Sequence, residues 1–149
     1  MRDKLYRVFL YSSPEIYAVL VITLVLLASD LKIRLSTAAQ LLKEFRPHPV
    51  KPVAANRVFR PLLNLKKTRV ASFVEAIDKN LGWKPSCLRR TLALASIFQK
   101  MGFAPAIKIG VHRDEEILKA HSWIEIDGMR LEMQDDGIAY TPLMSGTPL

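Results

Sequence analysis

Apolar residues fall along this chain in three different rhythms, each predicting a different kind of element. Near the start the run Ile16 to Ala28, 13 residues between Glu15 and Asp30, is apolar almost throughout and shows no period. A bilayer-crossing helix needs about 18 such residues, so the run predicts a buried or partner-facing helix rather than a span. Ser13-Pro14-Glu15 supplies its start, with a hydroxyl at the cap, proline in the first turn and an acid at the positive helix end. The helix is expected to run to about Ser29. Thr37-x-x-Gln40 has capping-box spacing and predicts a short second helix ending before Pro47.

The second rhythm is helical. Val70, Phe73, Val74, Ile77 and Leu81 recur at three- and four-residue steps, the stripe of an amphipathic helix that ends near Gly82. Another helix is expected from Cys87 to Lys100, with Leu88, Leu92, Ala95 and Ile97 or Phe98 inward and Gly102 as its left-handed stop. The third rhythm alternates. Ile107, Ile109 and Val111 interleave with Lys108, Gly110 and His112, and Arg113-Asp114-Glu115-Glu116 reads as a turn. A strand over Ala120 to Ile126 and the hairpin dipeptide Asp127-Gly128 lead into Met129 to Met133. Between the first pair of helices and the second, Arg46 to Lys67 mixes four prolines with six basic residues and has no period, so it reads as a basic connector, either solvated or a docking strip for an acidic partner. The expected architecture is α+β, helices followed by a small antiparallel sheet. Residues 1–67 hold the N-terminal helices and connector, and 68–149 the core, within one compact body.

Composition narrows the function. The net charge of +8 points to acidic partners: nucleic acid, anionic lipid or an acidic peptide. The single cysteine excludes an internal disulfide and a cysteine-based zinc site, so Cys87 is either inert or chemical. The apolar run follows a polar Ser12-Ser13-Pro14-Glu15 stretch and lacks an Ala-x-Ala exit, unlike a cleaved signal peptide; a cytoplasmic location is expected.

Thiol catalysis requires a thiolate, and an unperturbed thiol, with a pKa near 8.5, is mostly protonated at neutral pH. Cys87 follows Lys84-Pro85-Ser86, with Ser86 a plausible cap, so its sulfur is expected at the positive end of a helix whose amides could also hold an oxyanion. An imidazole from another element must then carry the proton. His121 opens the later strand, and alternation puts His121, Trp123 and Glu125 on one face, with Arg130, Glu132 and Gln134 joining it across the Asp127-Gly128 turn. His48 and His112 lack such company and read as surface residues.

Three stretches, Trp83-Lys84-Pro85-Ser86-Cys87-Leu88-Arg89-Arg90-Thr91-Leu92-Ala93-Leu94, then Gly102-Phe103-Ala104-Pro105-Ala106 with Ile109-Gly110-Val111, then Ala120-His121-Ser122-Trp123-Ile124-Glu125, together resemble the leader peptidase of lasso-peptide biosynthesis. That family is the stand-alone peptidase half of the B protein, a branch of the transglutaminase-like, papain-related cysteine peptidases. The resemblance covers about Val70 to Leu143, closing on Tyr140-x-Pro142-Leu143. It implies a transglutaminase-like core with the catalytic cysteine at a helix N-terminus packed on the sheet. It implies a Cys-His-acid triad that removes the leader from a ribosomally made precursor, with Cys87 as nucleophile and His121 as base. Where the family carries its acid this chain has Met133, so Glu132 is the first choice, with Gln134 and Asp135 as alternatives. Trp83 and Trp123 are candidate walls of the substrate cleft. The implied partners are the precursor's leader, a separate leader-binding protein and an ATP-dependent cyclase; no cofactor and no nucleic acid are expected, and membrane association is a lesser possibility for the apolar helix. Acyl transfer by the same site, or a non-enzymatic membrane-apposed scaffold with an inert Cys87, are the competing functions.

Overall fold

The computed structural model describes residues 13–37, 40, 56–114, 117–131 and 138–142. Three α-helices, α1 (Ser13–Leu35), α2 (Lys67–Asn80) and α3 (Cys87–Lys100), and a 3-10 helix (Arg60–Asn64) precede four strands. These are β1 (Ala106–Asp114), β2 (Ile117–Ile126), β3 (Met129–Leu131) and β4 (Thr141–Pro142). They form one antiparallel sheet in the order β3-β2-β1-β4. The fold is α+β, as the change of rhythm predicts.

Side-chain chemistry fixes most of the boundaries. Gly102 at φ 95° ends α3, the amide of Phe103 donates to Phe98 O at 2.9 Å, and their rings meet edge-on at 5.8 Å. This is a Schellman stop with its apolar contact. Asp127 (φ 54°) and Gly128 (φ 76°) are both left-handed, as a type I′ hairpin turn requires, and they set Glu125 opposite Arg130. Thr37 and Gln40 form both halves of the capping box: Thr37 N–H donates to Gln40 Oε1 at 2.9 Å and Gln40 N–H to Thr37 Oγ1 at 3.3 Å. The remainder of that expected helix lies outside the described residues.

Several boundaries differ from expectation. α1 is 23 residues long and continues six residues past Ser29, because nothing breaks it before Leu35 and Arg34 pairs with Asp30 one turn earlier. The basic connector is not wholly unstructured: from Asn56 onward it turns into the 3-10 helix, with Pro61 in its first positions and Phe59 and Leu62 buried as anchors. β2 begins at Ile117 rather than Ala120, since the ladder with β1 continues to Asp114↔Ile117.

The core joins all three helices to the sheet. Ala18, Ile22 and Leu26 of α1, Val70 and Val74 of α2, Ile97 and Phe98 of α3 and Ile124 of β2 have no exposed surface. α2 turns its stripe by one position, burying Asp78 completely while Ile77 and Leu81 are only partly covered. On α3, Arg89 is buried and Leu88 only half-buried. A buried aspartate and arginine on facing helices are the departures from an apolar pattern that matter for the site.

Candidate active site

Cys87 is the first residue of α3, and Ser86 is its cap, in extended backbone (φ −135°, ψ 123°) with Oγ accepting from Arg89 N–H at 3.4 Å. The amide of Arg90 donates to Ser86 O at 3.1 Å. Of the amides that open a helix without intrahelical partners, those of Cys87 and Leu88 therefore have no acceptor among the described residues. The thiol is half-buried and free.

Behind Cys87 lies an ionic cluster that the chain pattern did not reveal. Arg89, 5% exposed, donates from Nε to Asp78 Oδ1 at 2.7 Å, from Nη1 to Asp30 Oδ1 at 2.9 Å and from Nη2 to Lys84 O at 2.8 Å. Asp78 Oδ2 receives the amide of Ser86 at 3.4 Å, and Arg90 Nε lies 3.7 Å away. One arginine thus ties α1, α2 and the loop before the cysteine to α3, and one carboxylate holds the residue preceding the thiol. Charges this deeply buried are tolerable only with nearly every hydrogen-bonding position satisfied. The Asp30 carboxyl is held below its ordinary value of 3.8 chiefly by the hydrogen bond from Arg34, with Arg89 adding to it and desolvation opposing both.

The strand side is built from rings. His121 lies on β2 opposite Gly110 of β1, stacked on Trp123 at 6.3 Å between centroids and facing Tyr140 at 5.1 Å. Trp123 is 6% exposed; its Nε1–H donates to Glu125 Oε1 at 3.2 Å and the Arg130 guanidinium covers its ring at 4.5 Å. Gly110 makes this packing possible. A Cβ there would lie 2.8 Å from Tyr140 Cβ and 3.0 Å from Trp123 Cη2 and Cζ3, so only glycine lets both side chains cross β1. His112, expected at the surface, is half-buried, its Nδ1 3.1 Å from Ala139 O and its ring edge-on to Tyr140. His48 lies outside the described residues.

Thr91 joins the two sides. One turn after Cys87, its Oγ1 donates to Ser122 O at 2.9 Å and lies 3.1 Å from Ser122 Oγ, buried and adjacent in sequence to His121. The first turns of α3 are thereby pinned against the strand that carries the histidine. Strand alternation assigns Ser122, Ile124 and Ile126 to the face covered by α3, and His121, Trp123 and Glu125 to the other. Among the described residues no hydrogen bond joins the thiol to the imidazole. The structure thus brings Cys87 close to the strand of His121 without bringing the thiol and the imidazole together.

Of the other expected site residues, Trp83 stacks its ring against the Arg89 guanidinium at 4.4 Å, with its Nε1 buried and without a hydrogen-bond partner. Both tryptophans already serve packing roles beside the two candidate catalytic residues. Glu132, Gln134 and Asp135 lie outside the described residues. Among the described residues no cluster of three His, Cys, Asp or Glu side chains could hold a metal.

The family model of the transglutaminase-like superfamily matches residues 23–145, most of the chain and the whole of this site. The chain belongs to the transglutaminase-like superfamily, whose members are in general cysteine peptidases and acyl transferases. Neither a curated protein nor a solved structure matches it significantly.

Proposed function

We propose that this protein is a cysteine peptidase that removes the leader from a ribosomally made lasso-peptide precursor. The observation that carries the reading is a cysteine opening a serine-capped helix whose next turn is hydrogen-bonded to the residue beside a histidine. Superfamily membership and the three resembling stretches support it.

In this mechanism the Cys87 thiolate attacks the carbonyl at the leader–core junction, and the amides of Cys87 and Leu88 receive the developing oxyanion. His121, having taken the thiol proton, returns it to the departing amine. Water then adds to the thioester, giving up a proton to His121, and the thiolate leaves. Glu132 is the proposed orienting acid, on the sequence argument that alternation after the Asp127-Gly128 turn puts it on the same face as His121. Trp123 braces the imidazole. The enzyme works in the cytoplasm with a separate leader-binding protein, beside an ATP-dependent cyclase that consumes the released core, and requires no cofactor of its own.

The test is intact-mass analysis of precursor incubated with leader-binding protein and either wild type, Cys87→Ala or His121→Ala. Cleavage with the mass of one added water, lost in both folded variants, is expected. A product joined to an amine without hydrolysis would assign acyl transfer instead. Full cleavage by Cys87→Ala would refute the thiol mechanism.

A further inference from the structure

Leucine occupies the outside of α1 as consistently as the inside. At about 100° per residue, Ala18, Ile22, Leu26 and Ser29 share the face packed into the core. Leu20, Leu24, Leu27 and Leu31 recur at steps of four, three and four on the opposite face and are 62, 66, 44 and 57% exposed. A surface helix ordinarily turns charges outward. Between Ile16 and Ser29 this one carries none, and the acids at its ends are paired: Glu15 with Arg69 at 2.9 Å, and Asp30 with Arg89 of α3 and with the exposed Arg34 of the same helix.

The apolar strip has basic groups at both ends. Near its N-terminus Tyr17 Oη donates to Val58 O at 2.8 Å, bringing in the exposed Val58 with exposed Arg57 and Arg60 on either side of the turn. At its C-terminus stand exposed Lys32 and Arg34. An occupant of this surface must supply hydrocarbon along the strip and negative charge at the ends.

By length and composition α1 could cross a bilayer, but its inner face is core. Spanning would strip Ala18, Ile22 and Leu26 from their neighbours and take Asp30 from Arg89. A second copy would cover the leucines but bring together two chains of net charge +8. An anionic lipid surface meets both requirements. We infer that α1 lies in the plane of an anionic membrane, its outer leucine face at the headgroup–acyl boundary and Lys32, Arg34, Arg57 and Arg60 among the headgroups. The inference stands on α1 and its surroundings alone and is independent of the peptidase reading.

The full-length protein is sedimented with vesicles of phosphatidylcholine containing phosphatidylglycerol, and with phosphatidylcholine alone, beside the quadruple variant Leu20→Gln, Leu24→Gln, Leu27→Gln, Leu31→Gln. Binding to the anionic vesicles, weakened by salt and reduced about tenfold or more in the variant at unchanged circular dichroism, is expected. Should the variant not fold, Leu24→Trp serves: quenching by bromine-labelled acyl chains beyond that of the wild type is expected. Absence of anionic-vesicle binding, equal binding by the folded variant, or absence of the added quenching would overturn the inference. So would a wild-type dimer that ignores vesicles and is dispersed by the quadruple variant, which would assign the face to a second copy.

Discussion

The two halves of the candidate site are held by opposite kinds of force. Cys87 is fixed by charge: its cap, the loop before it and its own helix converge on Arg89, Asp78 and Asp30, two of them almost wholly buried. His121 is fixed by shape, between Trp123 and Tyr140 over a glycine that leaves them room. Charge-assisted hydrogen bonds are directional, and a buried one missing its partner is costly, so the cysteine side is coupled to the stability of the whole fold. An aromatic pair contributes only about 0.5–1.5 kcal/mol beyond the area it buries, so the histidine side is coupled to the stability of the fold less strongly.

The largest expected effect tests that coupling. Asp78→Ala leaves the Arg89 guanidinium buried with one carboxylate fewer and should destabilise the protein by about 3–5 kcal/mol, read as a fall in urea midpoint, with activity lost through unfolding. A smaller loss than about 1 kcal/mol would mean that water or Asp30 replaces Asp78 and that charge does not fix the cysteine side.

Gly110→Ala acts on the other half. The added methyl must displace Tyr140 and Trp123, at a cost of about 1–3 kcal/mol. Because those rings hold His121, kcat should fall further than stability explains, whereas an equal fall of both would make the glycine purely structural.

Ser86→Ala removes the cap of α3 and should cost about 1 kcal/mol by thermal melting. The loss should be smaller than at Asp78, since Asp78 still receives the Ser86 amide.

The last effect is a change of pH dependence that is confined to acid. Asp30 in the folded chain has a pKa below 3.8, so as pH falls the unfolded chain takes up the proton first. Its contribution to stability is complete above about that value and is lost as pH descends through the folded pKa. Asp30→Asn should therefore flatten the acid limb of stability below pH 3.8 while leaving its shape near neutrality unchanged. Urea titrations across that range measure it.

Much of the scaffold was legible residue by residue because its signals are local. The Phe98–Gly102 stop, the Asp127-Gly128 turn, the Ser86 cap and the alternation around His121 each lie within a few positions, where backbone geometry limits the choices. Cys87 and His121 stood out as candidates through a capped helix start and a strand alternation, together with the resemblance of the stretches around them. What was missed depends on distance along the chain. The apolar stripe expected of α2 did not include Asp78, and the inward positions expected of α3 did not include Arg89. Their pairing spans 11 residues, and Arg89 reaches Asp30 across 59.

The sequence by itself thus determined the principal helices and strands, the cap and stop of α3, and the turn and register of the β2–β3 hairpin, since short-range sterics and hydrogen bonding decide all of these. Only the tertiary structure decided which face of α1 is core, that Gly110 is a seat for Trp123, and that Arg89 joins three helices behind the thiol. An all-apolar helix has no period to orient it, and the worth of a buried charge or a missing methyl depends on what the fold brings beside it.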